Sequence, residues 1–260
     1  KLNRENQKTK TILIVEDNVE IQDSLKELLE AKNYTIIQAF SGVEGLQLVT
    51  KFHPNLIISD VMMPKMDGIE FTSKVKSNST TSHIPIIILT AKTALEDKTT
   101  GYNKGADAYI SKPFDEELLI TRIENLLKSR KILQSKFSKN ETLNPKEINI
   151  NSKDQELLEK LYKCLEENLE TNNLKSDFIS KQMNMSHSSL YKKIKSLTGL
   201  TYIEFIRDYR LSVAKQLIQE NGYAVSDACF KVGYSDRKYF SKLFKNKFKH
   251  NPSFFLKSQR

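Results

Sequence analysis

The sequence predicts two folded units: an α/β unit built on a five-stranded parallel sheet, then an all-α unit containing two helix-turn-helix units. Three observations predict this. From Thr11 to about Lys128, short apolar runs alternate with amphipathic stretches. After Ser152 the strand patterns stop and helical ones take over. Charge also divides the chain: residues 1–150 hold 21 basic and 20 acidic side chains, whereas residues 151–260 hold 20 and 12.

The 260 residues carry a net charge of +9, which favours nucleic acid or an anionic membrane over polycationic partners. From Lys175 onward there are 17 basic and 6 acidic residues, so the surplus sits in the C-terminal unit. A content of 38% hydrophobic and 28% charged residues is that of a folded globular chain. No apolar run reaches the roughly 18 residues that a membrane-spanning helix needs, so no membrane contact is expected of this segment. Cys164 and Cys229 form no CxxC pair and read as small buried thiols, not a disulfide framework or zinc site. The chain opens on Lys1, with no initiator Met and no secretory apolar core after it, and reads as part of a longer polypeptide.

The strands are expected at Thr11–Val15, Tyr34–Gln38, Asn55–Ser59, Ile84–Leu89 and Ala108–Ile110. Ile21, Leu25 and Leu28 fall at helical spacing between the first two, and Leu119, Ile123 and Leu126 do so after the last. These bounds give a first unit over residues 11–128. Residues 129–151 are polar, contain Asn144-Pro145, and read as a linker before a second unit over 152–260. Ser152-x-x-Gln155 and Thr201-x-x-Glu204 have capping-box spacing, and the second opens a long helix with the stripe Ile206, Tyr209, Val213 and Leu217.

In a parallel sheet the strand ends share one rim, where ligands gather at the topological switch point. The first strand ends in Glu16-Asp17 and the third in Ser59-Asp60, which brings three carboxylates together. Like charges in one desolvated pocket oppose ionisation unless a cation joins them, and Mg²⁺ with a phosphoryl oxygen suits such a set. Thr90 and Lys112 reach the same rim from the fourth and fifth strands, offering a hydroxyl and an ammonium to a phosphoryl group. A lone strand-end Asp is ordinarily a turn residue or cap. Four strand ends supplying complementary groups are not an ordinary coincidence.

The stretches TILIVED at 11–17, LIISDVMMPKMDG at 56–68, IIILTAK at 86–92 and ADAYISKPF at 106–114 resemble a response-regulator receiver domain, a flavodoxin-like fold. The resemblance implies that Asp60 accepts a phosphoryl group from a phosphohistidine. It implies that Glu16, Asp17, Asp60 and the Met62 carbonyl hold Mg²⁺, and that Lys112, before a cis Pro113, pairs with the phosphoryl oxygens. Thr90 and Tyr109 match the family's switch pair. Met62 and Lys92 match positions that tune dephosphorylation. Met62 cannot orient a water by hydrogen bonding, so a long-lived phosphoryl group is expected.

In the basic half, a helix–turn–helix pattern occurs twice. Residues 178–186 align with 227–235 at an offset of 49, pairing Ile179 with Ala228, Met183 with Val232 and Asn184 with Gly233 at the turn. Asn and Gly tolerate a left-handed backbone there. Beyond the turn the offset is 50, pairing Leu190 with Phe240 and Ile194 with Phe244. Two such units can read successive major grooves of double-stranded DNA. Residues 185–211 and 225–255 resemble the AraC-type DNA-binding domain. By that resemblance Ser188, Tyr191 and Lys192 face bases from the first reading helix, and Arg237, Lys238 and Lys242 from the second. Lys195 and Ser241 lie on the same faces. Lys193, Lys195, Lys245 and Lys247 are expected at phosphates.

The pairing also resembles the C-terminal end of hybrid two-component sensors of Bacteroidetes. The resemblance implies a transcription regulator, not an enzyme beyond its own phosphorylation, switched by a histidine kinase domain in cis or in trans. It further implies a homodimer on phosphorylation, repeated promoter sites, and a cytoplasmic place, free or as the end of an inner-membrane sensor. Nothing in the sequence suggests a small-molecule effector site. Two other readings stand beside this one. The receiver could serve only as a phosphate sink or kinase dock, with constitutive DNA binding. A small-molecule phosphatase is disfavoured, because Asp60 is followed by Val61-Met62 and not by the Asp-x-Asp pair of such enzymes.

Overall fold

The computed structural model describes residues 9–91, 105–138, 152–172, 174 and 176–256. The chain divides into two compact units between Lys131 and Ile132.

The first unit has strands β1 (Thr11–Val15), β2 (Thr35–Ala39), β3 (Leu56–Asp60), β4 (Ile86–Ala91) and β5 (Ala108–Lys112). All pairings are parallel, in the order β2-β1-β3-β4-β5. The described helices are α1 (Val19–Glu30), α2 (Gly42–Phe52), α3 (Gly68–Ser77) and α4 (Glu116–Ser138). The strands are mostly apolar along their length because both sheet faces are covered, with the polar residues gathered mainly at their ends. Ile12, Ile14, Leu56, Ile58, Ile87 and Leu89 point to one core with α1 and α4, supplied by Leu25, Leu29, Leu119 and Ile123. Leu13, Val15, Ile57, Ile86 and Ile88 point to the other, where α2 and α3 contribute Val49, Phe71 and Val75. Asn18, Ser41 and Asp67 cap α1, α2 and α3 by accepting backbone N–H bonds.

Four strands end later than the sequence suggests: β2 reaches Ala39, β3 reaches Asp60, β4 reaches Ala91, and β5 reaches Lys112. Each added residue pairs with its neighbour in the ladder, as Asp60 does with Leu89 and Ala91 with Lys112. Polar groups at the rim are thereby held on regular backbone. Residues 92–104, including Lys92, lie outside the described residues, as do 139–151 with Asn144-Pro145.

Helix α4 covers 129–138, the first part of the segment expected to be linker. From Ile132 onward this helix belongs to the second unit, in whose core Leu133 and Phe137 pack with Leu157, Leu161, Leu190 and Ile194. That unit continues with α5 (Ser152–Glu167), α6 (Ser176–Gln182), α7 (His187–Thr198), α8 (Tyr202–Gln219), α9 (Val225–Lys231), α10 (Arg237–Phe248) and a 3₁₀ turn at Pro252–Phe255. Among the described residues, no helix is long and apolar enough to cross a membrane.

The internal repeat is realised in the backbone. Asn184 and Gly233, at the two turns, have φ of 51° and 79°. The reading helices α7 and α10 keep the 50-residue offset at both ends, capped by Ser186 and Asp236. Helix α8 joins two cores. Tyr202 and Phe205 enter the first, and Leu211, Ala214 and Ile218 enter the second. Its fully buried line is therefore not the expected Ile206, Tyr209, Val213 and Leu217, which are only partly covered. A helix clasped from two sides has no single apolar stripe.

Of the two capping boxes, Thr201–Glu204 is complete. Gln155 instead donates to Glu159 Oε1 at 3.1 Å, and Ser152 is already the first helical residue of α5.

Candidate functional site

Strand order reverses at β1, whose neighbours are β2 and β3. At this switch point Glu16 and Asp17 follow β1 and Asp60 ends β3, with one carboxylate oxygen from each lying within 4.8 Å of the others. Glu16 and Asp60 are buried, and Asp17 is exposed. Lys112, at the end of β5, places its Nζ 2.7 Å from Glu16 Oε2 and 2.8 Å from Asp60 Oδ1. The Lys112–Pro113 peptide is cis, as the resemblance to a receiver domain implies.

Burial pushes the Glu16 carboxyl above its ordinary range, the hydrogen bond from Lys112 opposes this, and the charge of Asp60 adds to the rise. Burial by itself would lower the Lys112 ammonium, but its hydrogen bonds to Asp60 and Glu16 hold it above the usual lysine value. Among the described residues, three carboxylates thus face a single ammonium. The remaining negative charge and the oxygen-only donor set fit a hard divalent cation.

The backbone around the pocket is tightly constrained. A Cβ on Gly68 would sit 2.0 Å from the Asp60 carbonyl oxygen, so α3 can begin against β3 only with glycine there. The Met62 amide donates to Asp60 Oδ2 at 3.1 Å, while the Met62 side chain is 72% exposed. Thr90 is buried and its hydroxyl donates to the Ala91 carbonyl at 3.3 Å. Tyr109, opposite Ile88 in the β4–β5 ladder, is partly buried against the core that contains Ile86 and Ile88.

One positioning group is not evident from the sequence. Gln22, fully buried on α1, donates its amide to the carbonyls of Glu16 at 3.0 Å and Ala39 at 2.8 Å. It also accepts from Gln38 Nε2 at 3.0 Å. These bonds fix the end of β1 from which both Glu16 and Asp17 project. A glutamine among the polar residues of an amphipathic helix carries no mark of this role.

In the second unit Ser188, Lys192 and Lys195 are exposed along α7, and Arg237, Lys238 and Lys242 along α10. Ser241 is partly covered. Tyr191 is also partly covered, its ring stacked on Tyr202 at 4.7 Å and against His187 at 4.3 Å. His187 in turn shares a 2.6 Å hydrogen bond with Ser176.

Two of the lysines expected at phosphates are placed otherwise. Lys193 is 1% exposed and pairs with buried Asp154 at 2.6 Å. Lys247 pairs with Asp208 at 3.3 Å and donates to its backbone carbonyl at 3.1 Å. Both lie on the inward side of their reading helices. Lys195 and Lys245 are exposed.

An acidic pocket at the switch point of a parallel α/β sheet, followed by paired helix–turn–helix units, is the arrangement of a receiver-type module joined to a DNA-binding one. Residues 12–124 match the family model of the response regulator receiver domain, and residues 179–258 match that of a helix-turn-helix domain. The chain thus carries a response regulator receiver domain over residues 12–124, followed by a helix-turn-helix domain of AraC type over residues 179–258.

Histidine kinase P4 of Formosa agariphila is 42% identical over 243 residues, covering 94% of this chain and 18% of that protein. The transcriptional regulator RpaA of Synechocystis is 35% identical over 133 residues, covering 51% of this chain and 55% of that protein. A solved receiver domain protein from Clostridium thermocellum is 30% identical over 48% of this chain and 98% of that one, with a TM-score of 0.45. This chain therefore spans less than a fifth of that kinase and about half of that regulator.

Proposed function

We propose that the chain is a phosphorylation-controlled, sequence-specific transcription regulator that receives a phosphoryl group on Asp60 from a histidine kinase domain, on the same chain or another. The observation that carries this reading is Lys112, whose ammonium bridges Glu16 and Asp60 beside Asp17 at the sheet's switch point. Glu16, Asp17 and Asp60 would hold Mg²⁺ together with the Met62 carbonyl, whose residue already bonds Asp60 through its amide. Bound there, Mg²⁺ would supply charge neutralisation for the carboxylates and the incoming phosphoryl oxygens.

An Asp60 carboxylate oxygen attacks the phosphorus of the donor phosphohistidine. A P–O bond forms as the P–N bond breaks, and the electron pair leaves on the imidazole nitrogen, which takes up a proton. Lys112 turns from its carboxylate partners toward the phosphoryl oxygens as a point charge. Thr90 gives up its bond to the Ala91 carbonyl and donates to the same oxygens, and Tyr109 moves further inward behind it. The chain turns over no other substrate.

Phosphorylation at Asp60 alters one face of the receiver unit, and that face pairs two copies in the cytoplasm. Their DNA-binding domains then occupy repeated promoter sites. Ser188, Tyr191, Lys192 and Lys195 of α7 and Arg237, Lys238, Ser241 and Lys242 of α10 form the reading faces. The exposed groups on α10 support the larger share of base contacts, since Arg and Lys suit the guanine edge. Tyr191 acts from within its stack and not as a free side chain.

Beryllofluoride with Mg²⁺ tests the coupling. It is expected to raise both the oligomeric state and the DNA affinity of the native chain, and to do neither in Asp60→Asn. If both stay constant in the native chain, phosphorylation does not control DNA binding, and the receiver is a phosphate sink or kinase dock.

A further inference from the structure

Arg210 lies on α8, between the two helix–turn–helix units, and is 7% exposed. Among the described residues, no carboxylate forms a salt bridge with it. Its guanidinium is spent on backbone: Nη2 donates to the Thr171 carbonyl at 2.6 Å and Nη1 to the Gly233 carbonyl at 3.5 Å. Thr171 belongs to the turn that follows α5, in the first half of the domain. Gly233 is the left-handed turn between α9 and α10, in the second. One side chain on the connecting helix thus holds a segment of each half.

The junction is close as well as bonded. A Cβ on Gly233 would lie 2.7 Å from the Leu169 carbonyl oxygen and 3.0 Å from Arg210 Nη1. Leu169, from the first half, packs into the core formed by Leu211, Ala214, Phe240 and Phe244. The planar fork of arginine can address two carbonyls in different directions, whereas a lysine ammonium on a flexible stem is a single point of attachment. Burying a guanidinium is unfavourable unless its donors are satisfied, so this arrangement resists sliding or turning of one half against the other.

We propose that Arg210 is a positioning residue that fixes the distance and angle between the reading helices α7 and α10, and so restricts the protein to DNA half-sites at one spacing. This rests on the helical unit being a sequence-specific DNA reader. Each reading helix is seated in its own core, by Leu190 and Ile194 or by Phe240 and Phe244. Loss of Arg210 would leave each helix intact and loosen the relation between them. Two linked readers gain affinity on a full site only when geometry lets both engage together.

The test uses the full chain and duplexes that the native chain selects from a random-sequence pool. Affinity is measured for the selected duplex, for variants with two or three base pairs inserted between its halves, and for each half alone. The native chain should lose roughly tenfold or more on insertion, because simultaneous engagement is lost. In Arg210→Lys, read together with Arg210→Met, the selected duplex should bind more weakly and the insertion penalty should shrink to about threefold or less, with half-site affinities unchanged. Thermal unfolding confirms which variants are folded. A folded variant that keeps the native insertion penalty overturns the proposal, as does one whose half-site affinity falls as far as its full-site affinity. If the native chain selects no sequence at all, the reading of the domain as a specific DNA reader fails instead.

Discussion

Lys193 of α7 and Asp154 of α5 meet at 2.6 Å with 1% and 0% of their side chains exposed. The pair ties the first reading helix to the helix behind it, inside the core that also holds Leu158 and Leu197. Lys192, one residue before, is exposed on the outer face of the same helix. Two adjacent lysines therefore serve opposite ends.

Breaking this pair should destabilise the helical unit strongly. Lys193→Met or Asp154→Asn breaks a buried ion pair and should cost about 3–5 kcal/mol in denaturant unfolding. The double change Lys193→Met with Asp154→Leu should recover most of that loss, since an apolar pair of similar volume carries no buried charge. A single variant as stable as the native chain would show that the pair contributes little.

The salt dependence of DNA binding should separate the lysines of α10. Lys245 is exposed, and Lys245→Ala should lower the slope of log affinity against log salt by about one, the loss of one phosphate contact. Lys247→Met should leave that slope unchanged, because its ammonium is engaged by Asp208. Equal slope changes in the two variants would argue against this division.

The Thr201–Glu204 box should contribute to stability in a pH-dependent way. Thr201→Ala should cost about 1 kcal/mol at neutral pH. The Thr201 backbone amide, with its hydroxyl second, holds the Glu204 carboxyl below its ordinary value of 4.5. The unfolded chain therefore takes up this proton first on acidification. The stabilisation by Glu204 is whole above about pH 4.5 and is lost as pH falls through the lower value of the folded state. Chemical unfolding of native and Glu204→Gln chains from neutral to acid pH checks this: their difference should narrow on acidification.

The phosphoryl group on Asp60 should be long-lived, lasting many minutes. The Met62 side chain stands at the rim, 72% exposed, and has no group with which to orient an attacking water. Met62→Asn should shorten the lifetime measurably in a purified-protein assay with a small phosphodonor. Decay of the native phosphoprotein within seconds would contradict the role given to Met62.

The meeting of Glu16, Asp60 and Lys112 was legible before any coordinates. Parallel strands ending on one rim bring their final residues together whatever the intervening helices do. The turns at Asn184 and Gly233 were legible too, because few residues accept a left-handed backbone. Gln22 was not. Its role depends on the carbonyls of Glu16 and Ala39, which converge on it only after β1 and β2 pair.

From its own order, the sequence determined the five apolar strands, the doubled helix–turn–helix and the charge contrast between the units. Each is written in local periodicity, or in a residue's backbone preference. Only the tertiary structure decided which basic groups face outward. Lys192 and Lys193 are chemically identical neighbours, and Lys245 and Lys247 lie on one short helix. Whether such a side chain meets solvent or a carboxylate depends on what packs against its face of the helix. For Lys193 that is Asp154, 39 positions earlier in the chain, and for Lys247 it is Asp208, on a different helix.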